Sequence, residues 1–270
     1  MAIQRSVFFV SDHTGITAET LGRGLLSQFD HIEFRRTTLP FVDTPEKARQ
    51  AVEKINQAAA SDEARPLVIS SITAADIRAQ VAAADALVID VFDSFIPVLE
   101  TELGTASSHA VGKFHGVTNG YGHRIDAVNF TLAHDDGLGT KLAEADIILA
   151  GVSRCGKTPT CLYLALQYGL YAANYPLTGE DFERGGLPDW VTAHRSKLFG
   201  LSISPGRLQQ IRQERRPDSA YSSLATCQRE VSQAEAFFRR LDIPFLDSTT
   251  MSIEEIASTI VHQTGLRGKA

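Results

Sequence analysis

The chain has 270 residues, 43% of them hydrophobic and 21% charged, the make-up of a globular protein large enough for two modest domains. Its formal charge of −6 excludes the broad basic face of a general nucleic-acid binder, and no apolar run approaches the ~20 residues of a membrane helix, so neither nucleic acid nor membrane is an expected partner. Cys155, Cys161 and Cys227 are too few and too irregular for a disulfide framework, which points to the reducing cytoplasm.

Strand-like and helix-like stretches alternate along the chain. The apolar run from Ser6 to Val10 predicts a strand, and the polar SDHTG after it puts Ser11, Asp12 and Thr14 at the usual ligand edge of an open α/β sheet. A helix follows with Leu21, Leu25 and Phe29 on its apolar face. IEFRRTTLP suits a strand, and TPEKARQAVEKINQAAA a helix capped by Thr44 with Pro45 at its first position. PLVISSI and DALVIDVF read as buried strands either side of a helix, TAADIRAQVAAA, capped by Thr73. From Gly104 to Gly122 the pattern dissolves into a glycine-rich linker or mobile loop, whose His109, His115 and His123 fit no zinc spacing. HRIDAVNFTLA predicts a helix with Ile125, Val128 and Leu132 on one side, halted by AHDDG, where His134, Asp135 and Asp136 suit a general base, a metal contact or a plain helix stop.

ADIILAG then begins a second α/β series. Its further strands are LYAANY, LFGLSI and IPFLD; its helices are TPTCLYLALQYG, SPGRLQQIRQERR, the long AYSSLATCQREVSQAEAFFRRL, and a last one capped by Ser252 with Glu255 three residues on. Arg207, Arg212, Arg215 and Arg216 offer guanidinium forks for phosphate or a solvated charged face. The pattern predicts an α/β protein: an N-terminal, mostly parallel open-sheet domain over 1–104, a flexible loop and connecting helix over 105–140, and a P-loop kinase-like α/β domain over 141–270.

Residues 151–158, Gly-Val-Ser-Arg-Cys-Gly-Lys-Thr, fill the P-loop pattern, with a strand before them and a helix after. In that setting Gly151 and Gly156 let the backbone of Val152, Ser153, Arg154 and Cys155 wrap a diphosphate, Lys157 neutralises terminal phosphate oxygens, and the Thr158 hydroxyl ligates Mg2+. A glycine-rich turn with a chance lysine is the plain alternative. Asp90 and Asp247, each ending an apolar run, are candidates for the magnesium-side carboxylate or simple strand-end turn residues. Cys155, inside the loop's positive field, is expected to be a reactive thiol. The guanine-reading Asn-Lys-x-Asp is absent, and no Asp-Phe-Gly follows HRIDAVN, so a GTPase switch and the familiar protein-kinase fold are disfavoured.

The blocks VSDHTGITAETLG, TLPFVDTPEKAR, RIDAVNFTLAHDDG, GVSRCGKTPTCLYLALQYGLYAANYPL and LDSTTMSIEEIA resemble the phosphoenolpyruvate synthase regulatory protein family, from the first strand to the last helix. The resemblance implies a bifunctional enzyme that inactivates phosphoenolpyruvate synthase by phosphorylating a threonine with ADP as donor. It also implies reactivation by attack of inorganic phosphate on that phosphothreonine, releasing pyrophosphate. Residues 151–158 would hold ADP, Lys157 and Arg154 would stabilise the transferred β-phosphoryl, and Asp12 or Asp135 would take the threonine proton. A homodimer is expected. The family's Pro-Glu-Arg in the arginine helix is Pro-Gly-Arg here, so nothing carried by that glutamate transfers to Gly206, while Arg207 remains. A small-molecule kinase using ATP, and a nucleotide-sensing module without turnover, are the other readings open.

Overall fold

The computed structural model describes residues 3–62, 64–107, 119–137 and 141–268. The chain divides into two compact units, Met1–Gly116 and Val117–Ala270.

In the first unit the order is β1 (Ile3–Val10), α1 (Ile16–Leu26), β2 (Ile32–Leu39), α2 (Pro45–Ser61), β3 (Leu67–Ser70), α3 (Ala75–Ala82), β4 (Leu87–Asp90) and α4 (Val91–Leu103). The four strands form one parallel sheet in the order β2-β1-β3-β4, so the crossovers reverse direction between β1 and β3. Alternation along β1 feeds both faces. Val7 and Phe9 pack with Ala18, Leu26 and Ile69, whereas Phe8 and Val10 pack with Val42, Ile55, Val68 and Ile72.

The buried stripe of α1 is Ala18, Gly22 and Leu26; Leu25 and Phe29, expected on the core face, are exposed. Gly22 explains the rotation. A Cβ there would lie 2.4 Å from Phe9 and 2.6 Å from Ile69, so the missing side chain lets the helix backbone sit directly on the sheet. Thr44 caps α2 as predicted, its side chain accepting from the Lys47 amide. Thr73 does not cap α3, because its hydroxyl is turned to Asp12.

The second unit begins with α5 (Asn119–Ala133) and a 3-10 turn, Asp135–Gly137. Then follow β5 (Ile147–Gly151), α6 (Lys157–Tyr168), β6 (Ala172–Pro176), α7 (Gly179–Arg184), α8 (Asp189–Thr192), β7 (Leu198–Ser202), α9 (Pro205–Arg215), α10 (Leu224–Arg240), β8 (Phe245–Asp247) and α11 (Ile253–Thr264). Its parallel sheet runs β6-β5-β7-β8, with β5 inside and buried at every position. Of the glycine-rich loop expected up to Gly122, residues 108–118 lie outside the described residues, while 119–122 already belong to α5. This helix buries Ala127, Phe130, Thr131 and His134 rather than Ile125 and Leu132, since Phe130 stacks 4.8 Å from Tyr171 and 3.9 Å from His134. The long helix expected from Ala220 begins only at Leu224. Ser223 caps it, after a separate 3-10 turn at Ala220–Ser222. Ser252 and Glu255 form the predicted capping box of α11. Among the described residues no helix is long and apolar enough to cross a membrane.

Replacing Gly22 by Ala is expected to lower the unfolding free energy by about 1–3 kcal/mol, the usual cost of overpacking. Urea denaturation of the whole chain reads this, and an unchanged midpoint would contradict the close helix–sheet contact.

Candidate active site

The loop between β5 and α6 is built by backbone fit before any ligand is considered. At Gly151 a Cβ would stand 2.5 Å from the Leu201 carbonyl oxygen and 2.6 Å from the Cys155 sulfur, so only glycine lets the strand end pass between β7 and its own loop. Two residues then take left-handed backbone, Arg154 at φ 76° and Gly156 at φ 98°. Glycine adopts this freely, whereas a side chain costs roughly 1–2 kcal/mol, so Arg154 is held there by its surroundings.

Side chains tie down the loop's carbonyls. Lys157 Nζ donates to the Val152 oxygen at 3.0 Å, Ser248 Oγ to that of Cys155 at 3.1 Å, and Thr160 Oγ1 to that of Gly156 at 2.9 Å. A trans peptide directs its N–H opposite to its carbonyl, so the amides of Ser153, Gly156 and Lys157 are turned the other way. That is the arrangement of an anion-binding nest.

Beside the loop stands a carboxylate. Thr158 Oγ1 donates to Asp135 Oδ1 at 2.8 Å, and Asn174 Nδ2 reaches both Asp135 Oδ1 and, at 3.2 Å, Thr158 Oγ1. Asp135 is presented by the turn that ends α5, in which Asp136 (φ 49°) and Gly137 (φ 75°) are left-handed and the Asp136 amide donates to Asn174 Oδ1 at 3.0 Å. Buried His134 anchors that turn. Its Nε2 accepts from the Lys141 amide at 3.2 Å, which leaves the proton on Nδ1 for the Phe130 carbonyl at 2.8 Å. With both nitrogens engaged, His134 is a support and not a base.

Thr158, Asp135, Lys157 and the loop residues Gly151 to Gly156 thus come together. Asp12 belongs to the first unit, where its Oδ2 accepts from the Thr73 amide at 2.6 Å, the Thr73 hydroxyl at 2.7 Å and the Ala74 amide at 3.4 Å, tying down the turn that leads into α3. Ser11 accepts from the His13 amide at 3.1 Å. Asp90 caps α4 through the Phe92 and Asp93 amides, and burial pushes its carboxyl above the usual range. Asp247 accepts from the amide and hydroxyl of Thr249. Both behave as strand-end turn residues, and the carboxylate on the Thr158 hydroxyl comes instead from ahead of β5. Arg207, Arg215 and Arg216 are exposed, while Arg212 is fully buried. Asn174 was missed from sequence, although a lone amide inside the apolar LYAANY was its signal.

The reactive-thiol expectation fails. Cys155 is 1% exposed, and burial raises its pKa despite the opposing pull of the Lys157 charge. Cys161 and Cys227 are likewise buried and shifted upward by desolvation.

Hydroxyl, carboxylate and amide oxygens are hard donors of the kind Mg2+ takes, and no cluster of three or more His, Cys, Asp or Glu side chains occurs among the described residues. Such a pair fits an ion whose remaining ligands come from phosphate and water. Fold and site together define an α/β enzyme of the phosphotransferase class. The family model of the kinase/pyrophosphorylases matches residues 7–261, and the chain belongs to that family. It is 55% identical to a protein of Laribacter hongkongensis over 98% of both chains, and 53% identical to one of Azoarcus sp. over 97% of this chain and 96% of the other. A protein of Pseudomonas aeruginosa is 52% identical over 98% of both chains. All three are named, by inference, as phosphoenolpyruvate synthase regulatory proteins.

Iodoacetamide at neutral pH is expected to leave all three cysteines unmodified until the protein is unfolded, as read by intact mass. A thiol whose folded pKa lies above its ordinary 9.0 keeps its proton longer folded than unfolded. Stability is therefore held below pH ~9 and declines as pH climbs beyond it, which urea midpoints across that range would record.

Proposed function

We propose that the protein is a bifunctional regulator of phosphoenolpyruvate synthase, an ADP-dependent threonine kinase and a phosphate-dependent, pyrophosphate-forming phosphorylase acting at one site. The observation that carries this reading is the 2.8 Å contact between Thr158 and Asp135 beside the glycine loop, which joins a phosphate nest to a carboxylate. The family description of kinase and pyrophosphorylase together, and the names of the relatives, support the two directions and the target.

In the forward direction the amides of Ser153, Gly156 and Lys157 cradle the diphosphate, and Lys157 leaves the Val152 carbonyl to neutralise phosphate oxygens. Mg2+, which the Thr158 hydroxyl oriented by Asp135 would hold, would supply charge neutralisation on the phosphates. The threonine hydroxyl of the target attacks the β-phosphorus, the bond to the bridging oxygen breaks and AMP departs. Asp135 Oδ1 is committed to Thr158 and Asn174, so Oδ2 receives the threonine proton. Exposed Arg154 lies beside the loop as a further cation for the transferred group. In reverse, an oxygen of inorganic phosphate attacks the phosphothreonine phosphorus. Pyrophosphate forms, and Asp135 returns a proton to the threonine oxygen. Asp12 keeps its place on the turn before α3 and takes no step.

The test is incubation with phosphoenolpyruvate synthase, phosphoenolpyruvate and β-labelled ADP. Label on a target threonine, removed by phosphate with pyrophosphate appearing, is the expected result. Absence of label with ADP and with ATP would discard the reading. Lys157→Ala is expected to remove transfer, and Asp135→Asn to lower it about 100-fold or more while raising the Mg2+ needed for half-maximal rate. Asp12→Asn should instead lower the melting temperature and spare the rate per folded molecule.

A further inference from the structure

Arg212 is the largest side chain buried without residual exposure, and it lies in α9 against the outer side of the phosphate loop. Its Nη2 donates to the Ser153 carbonyl at 3.0 Å and to Glu230 of α10 at 2.7 Å; its Nη1 donates to the Tyr221 carbonyl at 3.1 Å. The guanidinium carbon lies 4.1 Å from the centre of the Tyr221 ring, whose hydroxyl is 2.9 Å from Ser153 Oγ. Ser153 is thus gripped twice, at its backbone oxygen by the arginine and at its side chain by the tyrosine. Arg212 Nε is buried and has no hydrogen-bond partner among the described residues, a cost that a replaceable packing residue would not carry.

The grip acts on the residue that follows. The peptide joining Ser153 to Arg154 points its N–H opposite to the Ser153 oxygen. Fixing that oxygen on Arg212 therefore fixes the direction of the Arg154 amide, away from Arg212. It also pins the chain just before Arg154, the non-glycine residue held at φ 76°. We propose that Arg212 and Tyr221 are positioning residues that clamp Ser153 and so aim the Arg154 amide at the nucleotide's phosphates. They touch no reacting atom, and the proposal rests on the phosphate-loop reading above. Lysine cannot replace the arginine, because a single ammonium lacks the planar fork that spans Ser153, Glu230 and Tyr221 together.

The experiment measures the Kd for ADP with Mg2+ on the full chain, alongside the KM for the protein substrate and the melting temperature without nucleotide. Arg212→Lys is expected to weaken ADP binding about tenfold and Tyr221→Phe about threefold, with the KM for the protein substrate unchanged in both. A purely structural role would lower the melting temperature and leave the affinity of the folded fraction alone, which overturns the proposal. Should Arg212→Lys fail to fold, Tyr221→Phe, which loses one oxygen and keeps the ring under the guanidinium, decides by itself: undiminished ADP affinity overturns the clamp. Wild-type protein that binds neither ADP nor ATP would overturn the phosphate-loop reading itself, and the clamp with it.

Discussion

The second unit is organised around one small polar junction, where Thr158, Asp135 and Asn174 share hydrogen bonds. Each arrives from a different element, respectively the first turn of α6, the turn that ends α5, and the middle of β6. Asn174 and Lys157 are almost wholly buried, and polar groups so placed need partners. The junction supplies them for Asn174 and the Val152 carbonyl does so for Lys157, and the junction thereby fixes the end of α5 against the sheet. The aromatic stack of His123, Phe130, His134 and Tyr171 continues that fixation along the helix by contact instead of charge.

A second constraint is directional. Val152 and Cys155 root the glycine loop in the core, and the rest of its shape depends on where its carbonyls are sent. Lysine, serine, threonine and arginine from α6, α9 and the segment after β8 take those oxygens one by one. The loop's shape is a by-product of satisfied hydrogen bonds, three of which do not involve the lysine. Preorganisation of this kind spares the reorganisation that a mobile loop would need on binding.

Much of this was legible in the sequence. Strand positions followed from short apolar runs, and the caps at Thr44 and Ser252 followed from residue type, because both signals are local. Helix faces were less legible. In α1 the core-facing residue is Gly22, which carries no hydrophobic signal and works by absence. In α5 a histidine and a threonine are buried where leucine and isoleucine are not. The glycine loop was readable as a pattern and Asp135 as one candidate acid beside Asp90 and Asp247, but which of them meets Thr158 depends on how α5 ends against the sheet, which no local signal shows. Arg212 looked like one of four equivalent cations, since a periodic charged helix conceals which member turns inward. Cys155 was misread because proximity to positive charge is visible in sequence and desolvation is not.

Asp12 bears on what the first unit does. The crevice where crossovers reverse, between β1 and β3, is where open α/β sheets receive ligands. Here a carboxylate of the chain itself already sits on the Thr73 and Ala74 amides that lead into α3. A dissolved anion seeking those amides competes with a tethered rival at a high effective concentration. Two sheets of the same strand order thus differ at the same place: one carries a buried acid held on its own backbone amides, and the other a glycine loop that follows β5.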